Sequence, residues 1–96
     1  MNIEWTFLAN EDYFQNIEYL ENYWTEKEVL NFIEEVDFCI DLLEKGNVTF
    51  IKSDFEDVYK MVIIKQITLY YSVINDTVFL MRFWNNFQDL QNFKLK

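Results

Sequence analysis

Three cations, Lys60, Lys65 and Arg82, fall inside or beside strongly apolar runs in the second half of the chain, close to the adjacent tyrosines Tyr70 and Tyr71. Cations and aromatic rings displayed together on a β surface can stabilise phosphate charge or anchor an acidic, apolar protein segment. Each has a plainer alternative. Lysine commonly solubilises a sheet edge, which accounts for Lys60 and Lys65 equally well. Arg82, between Met81 and Phe83, is either part of an interaction surface or half of a structural ion pair with one of the many carboxylates. Tyr70 and Tyr71 point to opposite faces of a strand, so one at most is core and the other is open to a partner. Other chemistries lack their usual parts: the chain has no histidine and a single cysteine, Cys39, where zinc sites and Ser-His or Cys-His catalysis ordinarily draw on these residues. Asp54, Glu56 and Asp57 lack the spacing of a calcium loop and read as solvated carboxylates. No catalytic residue, metal or cofactor is assigned.

These residues must be positioned by Val58 to Trp84, which reads as three short strands in succession. Val58–Ile64, Ile67–Ile74 and Thr77–Trp84 are rich in β-branched and aromatic residues and are separated by Lys65-Gln66 and Asn75-Asp76. In the middle run Ile67, Leu69, Tyr71 and Val73 alternate with Thr68, Tyr70 and Ser72, as expected when one face is buried. Asn and Asp tolerate positive φ, so Asn75-Asp76 suits a tight hairpin. So apolar a meander needs a cover.

The first half supplies that cover. Residues 3–7 alternate as a short opening strand, and Asn10 is expected to cap a helix with Glu11 and Asp12 in its first turn. Tyr13, Phe14, Ile17, Leu20 and Trp24 form its apolar stripe, with Glu11, Gln15, Glu18 and Asn22 opposite. Thr25 to Glu28 has capping-box spacing and starts a second helix, whose stripe is Val29, Phe32, Ile33, Val36, Ile40 and Leu43, with Cys39 beside it as an inert buried thiol. Gly46, the one glycine, sits where a left-handed C-cap is expected. Neither helix has a second apolar side on this reading. Residues 47–57 read as a loop, and residues 85–96 as a short helical or irregular tail. The expected architecture is α+β: a strand, an antiparallel helix hairpin and a three-strand antiparallel meander, with the helices on one face of a roughly four-stranded sheet.

A chain of 96 residues has room for one domain, and its 51% hydrophobic content is far from a disordered composition. No apolar run approaches the ~20 residues that span a bilayer, and the N-terminus lacks the pattern of a signal peptide, so a cytoplasmic protein is expected. The formal charge of −9 is unevenly spread. Residues 1–57 hold 15 acidic side chains against Lys27, Lys45 and Lys52, a net −12, whereas residues 58–96 carry a net +3. Most carboxylates are expected to solvate outer helix faces, and the sheet half is the part suited to an acidic partner.

The order of these elements, with Ile67-Thr68-Leu69-Tyr70-Tyr71-Ser72-Val73 and the exit Phe83-Trp84-Asn85-Asn86, resembles the RelE/ParE superfamily of type II toxin–antitoxin toxins over nearly the whole chain. The resemblance implies a small cytoplasmic bacterial toxin neutralised by a cognate antitoxin that lays a segment over it. RelE-like members cleave messenger RNA on the ribosome with basic residues on the sheet face and tail; ParE-like members, the plasmid-stabilisation branch, poison DNA gyrase. With Tyr71 as the strand tyrosine, the RelE-like arginine three residues earlier falls on Thr68, and the arginine of the strand exit falls on Phe87. Both are lost here, and in-line RNA cleavage needs cations. The resemblance is therefore closer to the ParE-like branch. A RelE-like ribonuclease using Lys60, Lys65 and Arg82, and a degenerate member that only binds its antitoxin, are the alternatives. The expected partners are an antitoxin and a target such as gyrase or the ribosome, with no membrane and no direct DNA binding. The partner-binding residues expected are Lys60, Lys65, Tyr70, Arg82 and Phe87.

Overall fold

The computed structural model describes residues 1–87, so all but the start of the tail expected over residues 85–96 lies outside the described residues. In chain order it contains β1 (Asn2–Trp5), α1 (Phe7–Tyr23), α2 (Glu26–Lys45), β2 (Ile51–Lys52), β3 (Tyr59–Ile64), β4 (Ile67–Ile74) and β5 (Thr77–Asn85). The strands form one sheet of five, ordered β1-β5-β4-β3-β2, and the helix hairpin covers one face. The meander is as expected. Asn75 and Asp76 take φ of 48° and 62°, the two left-handed residues of a type I′ hairpin turn. The sheet gains a fifth strand because β2, inside the expected loop, pairs with β3 through two residues. β1 lies parallel to β5, so the first strand of the chain closes the sheet against the last.

Several local expectations are corrected. The first helix begins four residues earlier than expected, with Thr6 in place of Asn10 as its N-cap: the Thr6 hydroxyl accepts from Ala9 N–H at 3.2 Å and donates to the Leu80 carbonyl at 2.7 Å. One side chain thus ends β1, starts α1 and ties both to β5. Glu11 and Asp12 therefore lie outside the first turn. The reciprocal capping box at Thr25 does not form either, since its hydroxyl donates to the Glu28 carboxylate instead of accepting from the backbone. Gly46 behaves as expected: at φ 72° it brings its own N–H to Leu43 O and that of Asn47 to Leu42 O, a Schellman closure.

Leu20, Phe32, Val36, Leu43, Ile67, Leu69, Tyr71, Leu80 and Phe83 fill the core between hairpin and sheet, each large side chain contributing about 1.5–3 kcal/mol of apolar burial. Cys39 is buried among them. Phe14 is not: it points to solvent, and the buried line of α1 runs instead through Ala9, Asp12, Asn16 and Leu20.

The polar members of that line have a specific task. Beyond the Trp5–Leu80 pair β1 ends, leaving the backbone of β5 without a strand neighbour on that side. Asp12 and Asn16, one helical turn apart, fill the gap: Asp12 Oδ2 accepts from Phe83 N–H at 3.1 Å, and Asn16 Nδ2 donates to Phe83 O at 2.8 Å. The helix face acts as a substitute strand. A bulge in β5 completes the geometry. Tyr71 faces Leu80 but Tyr70 faces Arg82, so Met81 is the extra residue, and the bulge returns Phe83 to the core while setting Arg82 beside Tyr70.

Candidate functional site

The face of the sheet away from the helices carries two lateral rows of side chains. One row is Ile51, Lys60, Tyr70 and Arg82, which are direct register partners across β2, β3, β4 and β5. The next is Val62, Thr68 and Trp84. With neighbouring strands about 5 Å apart, each row is a continuous strip, exposed at Ile51, Lys60 and Val62 but buried at Thr68 and Trp84. A shallow cleft of about 450 Å³ lies along them, lined by Ile51, Lys60, Val62, Thr68, Tyr70 and Asn86 among others. Val62 and Ile51 are well exposed, giving the cleft an apolar floor beside the Lys60 ammonium.

Of the five residues expected to bind a partner, three lie in this row and two do not. Lys60 is exposed on β3, and Tyr70 is half-buried, its phenol pushed above the usual value by burial and by nearby Asp54. Arg82 is an ion-pair residue: Nε donates to Asp12 Oδ2 at 2.6 Å and Nη2 to Oδ1 at 2.9 Å, with the guanidinium 5.4 Å from the Trp84 ring centre. The two side chains are 13% and 9% exposed, so this fork-to-fork contact is shielded from solvent. Lys65 and Phe87 meet elsewhere, around Trp24 at the end of the hairpin, where Lys65 Nζ is 5.1 Å from the indole centre and Phe87 stacks on it at 6.3 Å. Asn86 joins the two groups, accepting from Thr68 Oγ1 at 3.0 Å and donating to Lys65 O at 3.0 Å.

Tyr71, the other tyrosine of the pair, is wholly buried against Tyr59 and Phe50, and burial raises its phenol to about 12. Its hydroxyl is held in the core and cannot serve open-face chemistry. Asp54, Glu56 and Asp57 line a separate cleft of about 380 Å³, and no cluster of potential metal ligands occurs among the described residues. Asp12 and Asn16 were invisible as functional positions in the sequence; the available signal was an arginine in an apolar strand, which demanded a carboxylate, and two polar residues set one turn apart.

Two helices on one face of a five-stranded mixed sheet, with a parallel first strand and an antiparallel meander, is the fold of the RelE/ParE toxins. A chain of the chromosomal ParDE toxin–antitoxin system from P. aeruginosa superposes with a TM-score of 0.73 at 12% identity, covering 88% of this chain and 95% of that one. The YoeB/ParE toxin from Agrobacterium tumefaciens gives 0.63 at 15% identity, over 91% of this chain and 100% of that one. A chain of the heterotetrameric YoeB-YefM toxin–antitoxin complex from Staphylococcus aureus gives 0.60 at 16% identity, over 91% and 98%. At these identities the likeness is one of fold. No protein-family model and no curated protein sequence matches the chain. Among the described residues no helix is long and apolar enough to cross a membrane.

Proposed function

We propose that this protein is the toxin of a type II toxin–antitoxin pair, acts in the cytoplasm by binding a protein target in the ParE manner, and is silenced by an antitoxin segment laid on the open sheet face. The observation that carries the choice of mechanism is the Asp12–Arg82 pair. The guanidinium that could have met a phosphate is already neutralised by a buried carboxylate. Thr68, at one position where the RelE-like pattern has arginine, spends its hydroxyl on Asn86, and Phe87, at the other, stacks on Trp24. Lys60 is then the remaining cation in the two open-face rows among the described residues, too little to hold the crowded charge of an RNA cleavage transition state. An apolar cleft flanked by Lys60 and Tyr70 fits an acidic, apolar protein segment instead.

Expression in a bacterial host with and without the neighbouring gene product tests the toxin reading, growth arrest relieved by the neighbour being the expected result. DNA breaks that depend on gyrase are expected during arrest; transcripts cut within codons would assign the ribonuclease role instead. Lys60→Glu should weaken the antitoxin complex in a salt-dependent way, while Glu18→Lys should do much less. The opposite ranking would move the antitoxin site to the helices.

A further inference from the structure

The shortness of β2 leaves a gap beside β3. Pairing between them covers only Tyr59 and Lys60, so among the described residues positions 61–64 have β4 on one side and no strand on the other. Between that edge and α2 lies a cleft of about 400 Å³, lined on the helix side by Lys27, Asn31 and Glu35 and on the strand side by Ile63, Lys65 and Gln66. Its volume is in the range of small-molecule sites.

The cleft is polarised along its length. Lys27, Asn31 and Glu35 are spaced i, i+4 and i+8 on one face of α2, so a cation, an amide and a carboxylate follow one another at steps of about 6 Å. Lys65 adds positive charge at the Lys27 end, for it stands 5.1 Å from the ring centre of Trp24, two residues before α2 begins. The positive end of the helix dipole lies there too. Glu28, also on this wall, is taken by the Thr25 hydroxyl. Glu35 is not taken: among the described residues the ion pairs are Lys45 with Asp41 and Arg82 with Asp12, so neither Glu35 nor the two lysines of the cleft enter one.

Gln66 marks the middle of the site. It is 2% exposed, and its backbone carbonyl accepts from Asn86 N–H at 2.7 Å, yet its side-chain amide makes no hydrogen bond among the described residues. Buried polar groups are rarely left without partners, and at a cleft wall a ligand can supply them. A carboxamide both donates and accepts, as a peptide group does.

We propose that this cleft binds a short free peptide of two or three residues, lying extended with its carboxylate toward Lys27 and Lys65 and its ammonium toward Glu35. Three extended residues reach about 10 Å, close to the roughly 12 Å of helix rise between positions 27 and 35. The intervening peptide groups meet Asn31 and Gln66, and small side chains meet Ile63 and Ile64. A polyanion would be repelled at the Glu35 end, and a polyamine at the lysine end. The cleft shares no lining residue with the open-face cleft, and the proposal does not rest on the toxin reading.

Calorimetric titration of the intact protein with trialanine tests this, beside N-acetyl-trialanine, trialanine amide and free alanine. Trialanine should bind with a Kd of about 1 mM or tighter, and each of the other three should lose about fivefold or more. Lys27→Ala with Lys65→Ala should erase the penalty of amidation and keep that of acetylation, while Glu35→Ala should do the reverse. Gln66→Met keeps the size of the side chain and removes the amide, so it should weaken trialanine about fivefold without lowering the melting temperature. Amide shifts on trialanine binding should cluster on α2 and the β3–β4 turn. Failure of trialanine to bind, unchanged binding by Gln66→Met, a reversed effect of the charge variants, or shifts centred on Lys60 and Tyr70 would overturn the proposal. So would equal binding of the acetylated peptide, which would make the ligand a protein C-terminus.

Discussion

Asp12 serves two customers at once, the guanidinium of Arg82 and the backbone N–H of Phe83. Removing it leaves a shielded cation and an open strand edge together, so Asp12→Ala should lower unfolding free energy by about 3–5 kcal/mol in a urea titration. A loss under about 1 kcal/mol would mean that water replaces the carboxylate freely. Asn16→Ala, which breaks a neutral bond, should cost about 1–2 kcal/mol. Tyr71 makes a different prediction. Its hydroxyl finds no hydrogen-bond partner among the described residues, and its folded pKa is raised to about 12 from an ordinary 10.0. Between those values the unfolded chain loses the phenolic proton while the folded chain keeps it. The corresponding stability is intact below pH 10 and is lost as pH rises through about 12. Tyr71→Phe should remove that alkaline loss and, by deleting an unpartnered buried hydroxyl, leave neutral-pH stability equal or higher. Melting temperatures across pH 8 to 12 for both proteins decide it.

At the scale of elements, Leu69→Ala in β4 should cost about 2–5 kcal/mol by chemical denaturation, because its side chain is fully buried between sheet and hairpin. Gly46→Ala isolates a backbone effect: a Cβ there meets open space, so the expected loss of about 1 kcal/mol comes from φ of 72° alone. These elements were legible in the sequence because each had a local cause. The alternation of Ile67 to Val73 fixed the buried face of β4, Asn75-Asp76 fixed a hairpin, and Gly46 fixed a helix end. What stayed hidden was set by distant partners. Thr6 caps α1 because Leu80, 74 residues away, also holds its hydroxyl. β2 is too short to show a period and exists because β3 offers an edge. Met81 bulges without a glycine or proline to mark it. For the candidate site, Lys60, Tyr70 and Arg82 were recognisable as a group, but the neutralisation of Arg82 required knowing that a helix crosses the end of β5.

Across the whole molecule, charge is divided between the layers, with the net −12 of residues 1–57 mostly on the helices and the sheet half mildly basic. Repulsion among unpaired carboxylates should make stability rise with salt as the Debye length contracts from about 30 Å at 0.01 M to about 8 Å at 0.15 M. Thermal melts at the two ionic strengths measure this; a falling melting temperature would mean that the layers attract more than the helices repel. The parallel pairing of β1 with β5 has a temporal consequence. Asn2 through Trp5 find their partners at Thr77 through Leu80, and α1 is fastened to residues about 70 positions downstream. Loop closure on that span is entropically costly, whereas the β4–β5 hairpin closes locally. β1 is thus the last strand to be seated, and the nucleus belongs to the meander. Substitutions in β1 and at Thr6 should speed unfolding with little change in folding rate, while those in the β4–β5 hairpin should slow folding itself.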